Sequence, residues 1–397
     1  MLIDPKKAKQ LAELLGYVAE ELDIPDDVYQ QARQRYAELG DWLKTDHIER
    51  YQSDAEIYHQ GSLRLGTAIR PVMKEDDCDV DLVYRRDIQK ESTTQEELKV
   101  DLGQQLQRYF QYLRHNGKAV PELIPGRRCW TLDYKGQFHM DVLPALPDDE
   151  AAKYNLQNLD DAIIITDTKL LKWQHSNPKG YANWFNDQQE MQLMEQREMM
   201  AKAAEVDVDT IPRERVLTPL RRAIQILKRH RDIQYEGNSD DKPISIIITT
   251  LAAKAYGGQP DIFKALTAIS TGMRDGIKTK NGEYWVPNPI NPEENFADKW
   301  KKAEEPHRAE RFFEWLDQVE RDLSTVSQQT GLHRIVASLS PMLGESLVKR
   351  AADRYGDKMY KQRTNGKLRM ATASGILGTD GTRSVRKHTN FGNDSKR

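Results

Sequence analysis

Three aspartates and a Gly-Ser pair are the residues of this chain best placed to do chemistry. Asp79 and Asp81 flank a single valine in CDVDLVYR, at the head of an apolar run. Successive side chains on a strand alternate faces, so the two carboxylates share one face while Val80 and Leu82 take the other. Carboxylates held side by side repel each other unless a cation neutralises them, and hard oxygen ligands suit Mg²⁺. Upstream, Gly61-Ser62 is a turn entering a short helix-forming stretch, which offers backbone N–H groups and a hydroxyl to phosphate oxygens. A third acid, Asp141, lies in GQFHMDVLPALP, where Gln137, His139 and Asp141 alternate with Phe138, Met140 and Val142. That alternation predicts a second strand with one polar face, the return arm of a hairpin from Arg128 through the Lys135-Gly136 turn. Most DxD pairs are solvated turns or strand ends, and a lone Gly-Ser says less still. Order and the third acid raise the combination above either motif. A phosphate cradle followed by paired carboxylates is the equipment of nucleotidyl transfer, with two metal ions roughly 3.5–4 Å apart.

The run GSLRLGTAIRP…DVDLV, followed by a single Asp on a later strand, resembles the polymerase-β-like nucleotidyltransferases. Its wording is similar to the bacterial cGAS/DncV-like nucleotidyltransferases (CD-NTases) of CBASS antiphage systems, relatives of animal cGAS and oligoadenylate synthase. LTPLRRAIQILKRHRD, KPISIIITTLAAKAY and VPNPINPEENFADKW extend the resemblance over roughly residues 50 to 300, the last being similar to the DPxNPxxN segment of that group. One departure is MKEDD, which lengthens the stretch between Ser62 and Asp79 relative to cGAS or oligoadenylate synthase.

The resemblance implies a site and a product. Asp79, Asp81 and Asp141 would hold two Mg²⁺ ions, with Mn²⁺ an alternative, and Asp141 would serve the ion that activates the acceptor ribose hydroxyl. Gly61 and Ser62 would hold the β- and γ-phosphates of the donor. Lys228 matches the family lysine that binds donor triphosphate, and Ser245 a serine with the same role. The substrates would be ATP and other NTPs, and the product a cyclic di- or trinucleotide second messenger. It would activate an antiviral effector protein by signal, not by contact. A regulatory protein partner stays open; neither nucleic acid nor a membrane is required.

The elements that must position these residues follow the chain. PKKAKQLAELLGYVAEEL (5–22) carries Leu11, Leu14, Leu15 and Val18 at helical spacing; Asp23-Ile24-Pro25 breaks it, and a second helix is predicted from about 26 to 43. Both read as N-terminal brace helices (1–47). Strands are predicted over 56–60, 79–85, 127–134, 137–143 and 162–165, with Pro144 and Pro147 ending the fourth and a helix from about 94 to 115. They make a mixed-sheet nucleotidyltransferase core (48–170). Trp173 and Trp184, around a Pro-Gly break, suit base stacking or packing at an interdomain joint. Helical periods over 182–204, 216–232, 244–257, 260–273, 303–323 and 342–355 make an all-helical domain (171–361), oligoadenylate-synthase-like on the resemblance. Asn288, Asn291 and Asn295 read as a Pro-stiffened turn capped by Asn. The fold class is α+β. Residues 362–397 are rich in Gly, Ser, Thr and Asn, with eight Lys/Arg against two Asp, and read as a basic tail without structure.

Composition narrows the function classes. The 397 residues are 38% hydrophobic, with mean hydropathy −0.77, and no apolar run approaches a membrane span. The start, MLIDPKKAKQ, lacks the apolar region of a signal peptide. Two cysteines, Cys78 and Cys129, give no disulfide framework or zinc cluster and favour a reducing cytoplasm. Net charge −3 supplies no global field for a polymer, although Pro212–Arg231 carries seven Lys/Arg against Glu214 alone. Two other readings stand beside the synthase: an RNA-end enzyme of the CCA-adding or poly(A) polymerase kind, and a catalytically inactive binding scaffold. Buried unpaired acids are costly without a cation, so the three carboxylates speak against the scaffold.

Overall fold

The computed structural model describes residues 4–45, 55–72, 78–154, 159–169, 172–238, 241–301, 307–372 and 374–385. The MKEDD stretch and residues 386–397 lie outside them. Helix α1 (Pro5–Glu21) starts where Asp4 accepts from the amides of Lys6 and Lys7 at 2.7 and 3.4 Å, with Pro5 fixing the first turn. Its leucines enter the core of the helical half. Helix α2 (Asp26–Thr45) instead sends Ala32, Leu39 and Leu43 into the core beneath the sheet. The two N-terminal helices are thus divided between the two cores.

The sheet follows as β1 (Ala55–His59), short helix α3 (Gly61–Leu65), β2 (Cys78–Arg86), helix α4 (Gln95–His115), β3 (Glu122–Pro125), β4 (Trp130–Tyr134), β5 (Phe138–Pro147), β6 (Ile163–Ile165) and β7 (Gln174–Ser176). Strand order is β1-β2-β5-β4-β3; β6 pairs the far end of β5, and β7 pairs β6. Only β2 and β5 run parallel. The crossover between them passes through α4, whose start is a Thr94/Glu97 capping box and whose Leu102, Leu106 and Tyr109 cover the sheet. The Lys135-Gly136 hairpin forms, with Gly136 at φ +77°. Pro144 and Pro147 do not end β5. The β4 ladder has already stopped at Trp130 opposite Val142, so the prolines cost it no hydrogen bond.

The helical half comprises α5 (Pro178–Asp187), α6 (Glu190–Ala204), α7 (Pro219–Gln234), α8 (Ser245–Ala255), α9 (Ile262–Gly272), two small strand pairs, β8–β9 (Lys278–Lys280, Glu283–Trp285) and β10–β11 (Pro287–Asn288, Asn291–Asn295), then α10 (Arg308–Gln328), α11 (Leu332–Leu343) and α12 (Glu345–Thr364). The single helix predicted over 182–204 is two helices. Buried Gln189 sits at the break and accepts the Thr218 hydroxyl that caps α7. Helix α11 escapes the sequence pattern because Pro341 lies inside it. Asn288 and Asn295 accept from nearby amides, as a capped turn requires. Trp173 packs on Leu98, Leu146 and Ile164, and Trp184 on the helical core.

The reading of 362–397 as unstructured fails for its described part. Helix α12 continues to Thr364, and β12 (Arg369–Met370), β13 (Leu377–Gly378) and β14 (Arg383–Ser384) form a three-stranded sheet. Leu368 and Ala371 are buried, and Asp380 pairs with Lys9 of α1 at 2.6 Å. Here Gly and Thr build tight turns instead of solvated chain; Gly375 takes φ +69°.

Candidate active site

The site grows from the β1–α3 turn. The Gln60 amide donates to the Asp81 carbonyl at 2.8 Å, and Gly61 then adopts φ +59°. A Cβ at Gly61 would stand 2.2 Å from Asp81 Oδ2, so only glycine admits this carboxylate beside the turn. On β2, Val80 and Leu82 are buried in the sheet core while Asp79 is exposed on the opposite face. The parallel register sets Asp81 across from Asp141 and Asp79 across from His139. His139 Nδ1 lies 4.0 Å from Asp79 Oδ1, and its Nε2 lies 3.3 Å from Asp133 Oδ1. From β4, opposite Asp141, the Thr131 hydroxyl donates to Asp141 Oδ1, and the Cys129 thiol bonds the same carboxylate.

The far wall belongs to α7 and α8. Lys228 is 4% exposed and its Nζ donates to Thr67 O at 2.9 Å and Thr67 Oγ1 at 3.2 Å. Ser245, the first residue of α8, accepts at Oγ from Arg231 Nη1 at 2.8 Å. Gly61, Ser62, Asp79, Asp81, Asp141, Lys228 and Ser245 all line one cavity of about 680 Å³. The seven residues predicted to form the site all line it; Trp173 and Trp184 do not.

Electrostatics divides the cavity. Burial, then the Asp141 and Asp79 carboxylates, push the Asp81 carboxyl up to about 7. Burial, then Arg231, push the Lys228 ammonium down to about 7. Among the described residues, no three His, Cys, Asp or Glu side chains are gathered closely enough to form a ligand shell unaided. The donor set nonetheless fits a hard cation. Three carboxylates project from adjacent strands, and Asp81 is held in a glycine-lined cradle where its charge is costly without one.

The run of basic residues on α7 is not a surface patch. Pro219 through Arg231 are all buried. Arg222 bonds Ala19 O and Asp23, Gln225 bonds Ala68 O, Lys228 bonds Thr67 O, and Arg229 bonds Arg70 O and Pro71 O. One face of α7 therefore satisfies the carbonyls of the segment leaving α3, and fastens the helical half to the Gly-Ser turn.

Residues 10–189 match the Second Messenger Oligonucleotide or Dinucleotide Synthetase (SMODS) domain family. A c-di-GMP synthase from Roseivirga ehrenbergii is 28% identical over 94% of this chain and 94% of its own length. Cyclic dinucleotide synthase CdnG from Bradyrhizobium diazoefficiens is 24% identical over 76% of this chain and 73% of its own. The structure of the Bradyrhizobium diazoefficiens CD-NTase CdnG in complex with GTP superposes with TM-score 0.65, covering 89% of this chain and all of that one at 20% identity. Vibrio cholerae DncV cyclic AMP-GMP synthase, with a nonhydrolyzable GTP, superposes at TM-score 0.52 and 13% identity, over 87% of this chain and 92% of that one. The chain has the fold of the CD-NTases.

The site also holds residues that sequence reasoning passed over. Thr131 was missed because a two-residue Lys135-Gly136 turn would set it opposite Met140; the observed loop pairs Tyr134 with Phe138 and so sets Thr131 opposite Asp141. Arg231, Asp232 and Lys242 lie at the ends of segments that carry the resemblance but were given no role, because a basic run reads as solvated until α7 is seen to be buried. No helix among the described residues is long and apolar enough to cross a membrane.

Proposed function

We propose that this chain is a CD-NTase that joins two NTPs, guanine nucleotides among them, into a cyclic dinucleotide. The observation that carries the reading is Asp81 facing Asp141 in register, in one cavity with Lys228 and Ser245 on the opposite wall. Similarity over most of the chain to proteins named c-di-GMP synthase and cyclic dinucleotide synthase supports it. Gly61 and Ser62 hold the β- and γ-phosphates of the donor. Lys228, whose ammonium has three donors and uses two on Thr67, offers the third to phosphate. Ser245 donates from the start of α8. Asp79, Asp81 and Asp141 would hold two Mg²⁺ ions, with Mn²⁺ an alternative, which would neutralise phosphate charge and acidify the attacking hydroxyl. Asp141, pinned by Thr131 and Cys129, stands on the acceptor side. A ribose hydroxyl attacks in line at the α-phosphorus and expels pyrophosphate, and a second round closes the ring. The product acts in the cytoplasm as an antiviral signal to a separate effector, as in CBASS.

The burial of the α7 cations disfavours an RNA-end enzyme, which needs an exposed basic track for its polymer. The test is incubation of purified protein with all four NTPs and Mg²⁺, phosphatase treatment, and mass analysis. A phosphatase-resistant cyclic product formed without RNA is expected, and none from Asp79→Asn/Asp81→Asn. Linear product only, strict dependence on RNA, or wild-type pyrophosphate release by the double variant would overturn the reading.

A further inference from the structure

We propose that Arg231 is a positioning residue that sets the Ser245 hydroxyl as a fixed hydrogen-bond donor to the donor triphosphate. The inference rests on the nucleotidyl-transfer reading above and assigns a role to a residue that the reading leaves out. Arg231 is buried on the cavity wall. Its Nη1 donates to Pro243 O at 3.0 Å and to Ser245 Oγ at 2.8 Å. Its Nε and Nη2 both donate to Asp232 Oδ1, at 2.9 and 2.7 Å, and Lys242 Nζ reaches the same oxygen at 3.0 Å. The guanidinium is thus held flat from both ends.

A hydroxyl has one proton and two lone pairs, whereas a guanidinium has only donors. Ser245 Oγ must therefore accept from Arg231, and its proton must point elsewhere. Ser245 sits in the first turn of α8 and lines the cavity alongside Lys228. The proton is aimed at the space a phosphate would fill, and nearby cations favour anionic oxygen there. Without Arg231 the hydroxyl can turn its proton back to the Pro243 carbonyl, and the 241–245 loop loses its anchor. Lysine cannot replace the fork: it keeps the charge but not the planar geometry that spans Asp232, Pro243 and Ser245.

The test is a double-mutant cycle read by equilibrium binding of non-hydrolysable ATP and GTP analogues with Mg²⁺. Arg231→Lys, Ser245→Ala and the double variant are compared in the full-length protein. Each single change should weaken binding about tenfold, and the double variant should bind as Ser245→Ala does. Ser245→Thr, which keeps the hydroxyl, should restore binding in the Arg231 background alone. Asp232→Asn loosens the fork with Arg231 in place, so a smaller loss that vanishes in Ser245→Ala is expected. It carries the test if Arg231→Lys does not fold. Additive losses, or unchanged binding for Arg231→Lys or its Asp232→Asn stand-in, would overturn the proposal. In either case wild-type synthesis of cyclic product would leave the nucleotidyl-transfer reading standing; absence of that product would sink the reading itself.

Discussion

An alanine at position 61 would meet Asp81 Oδ2 at 2.2 Å and force an L-residue to φ +59°. The backbone strain costs about 1–2 kcal/mol, but displacement of the carboxylate matters more. Gly61→Ala should lose most turnover while its melting temperature falls only a few degrees, as a thermal melt beside a pyrophosphate assay would show. Under the proposed metal site, Asp81 would also make metal binding pH-dependent. Its folded pKa of about 7 stands above its ordinary 3.8, so between those values the folded metal-free protein binds more protons than the unfolded chain. This group therefore costs the metal-free protein stability as pH rises through that window. A divalent ion favours the ionised form. Thermal stabilisation by Mg²⁺ should grow from pH 6 to pH 8 and shrink in Asp81→Asn. The carboxylates were readable because strand alternation and hairpin register are local. The Gly61–Asp81 contact was not, because it joins residues twenty positions apart through a turn.

At the scale of elements, α7 decides how the two halves of the site meet. Arg229 donates to the Arg70 and Pro71 carbonyls, so Arg229→Ala should cost about 1.5–3 kcal/mol, near a charge-assisted hydrogen bond. Arg213 pairs with Glu190 at the surface, and Arg213→Ala should cost at most about 1 kcal/mol. Denaturant unfolding of the two variants checks the contrast. Sequence periodicity placed a helix over 216–232, but neither its Thr218 cap nor the burial of its charged face was read from it. Five basic residues on one short helix are ordinarily solvated. Whether they are depends on a backbone segment more than 140 residues earlier, a relation that no local pattern encodes.

For the whole molecule, the described tail is a structural part and not an appendage. Its small sheet buries Leu368 and Ala371, and Ile376 and Asp380 lie beside Tyr355 of α12 and Lys9 of α1. Ending the chain after Thr364 should lower the melting temperature by several degrees while cyclic product still forms, because none of those residues lines the cavity that holds Asp81 and Lys228. Mass analysis of product beside a thermal melt separates the two effects. Composition led the expectation astray here: Gly and Thr signal disorder only where no neighbouring surface gives their turns a place to rest. The larger helical core was legible from periodicity, but its claim on α1, with α2 assigned to the sheet, required the packing itself.

The row of α7 donors has a consequence for life among nucleic acids. A bacterial interior is crowded with RNA, and an enzyme that reads triphosphates with exposed cations would spend most of its time occupied by the wrong polyanion. Here Arg222, Lys228 and Arg229 are already engaged by the protein's own carbonyls. What reaches Lys228 must do so through the cavity of about 680 Å³ that it lines together with Asp81 and Asp141.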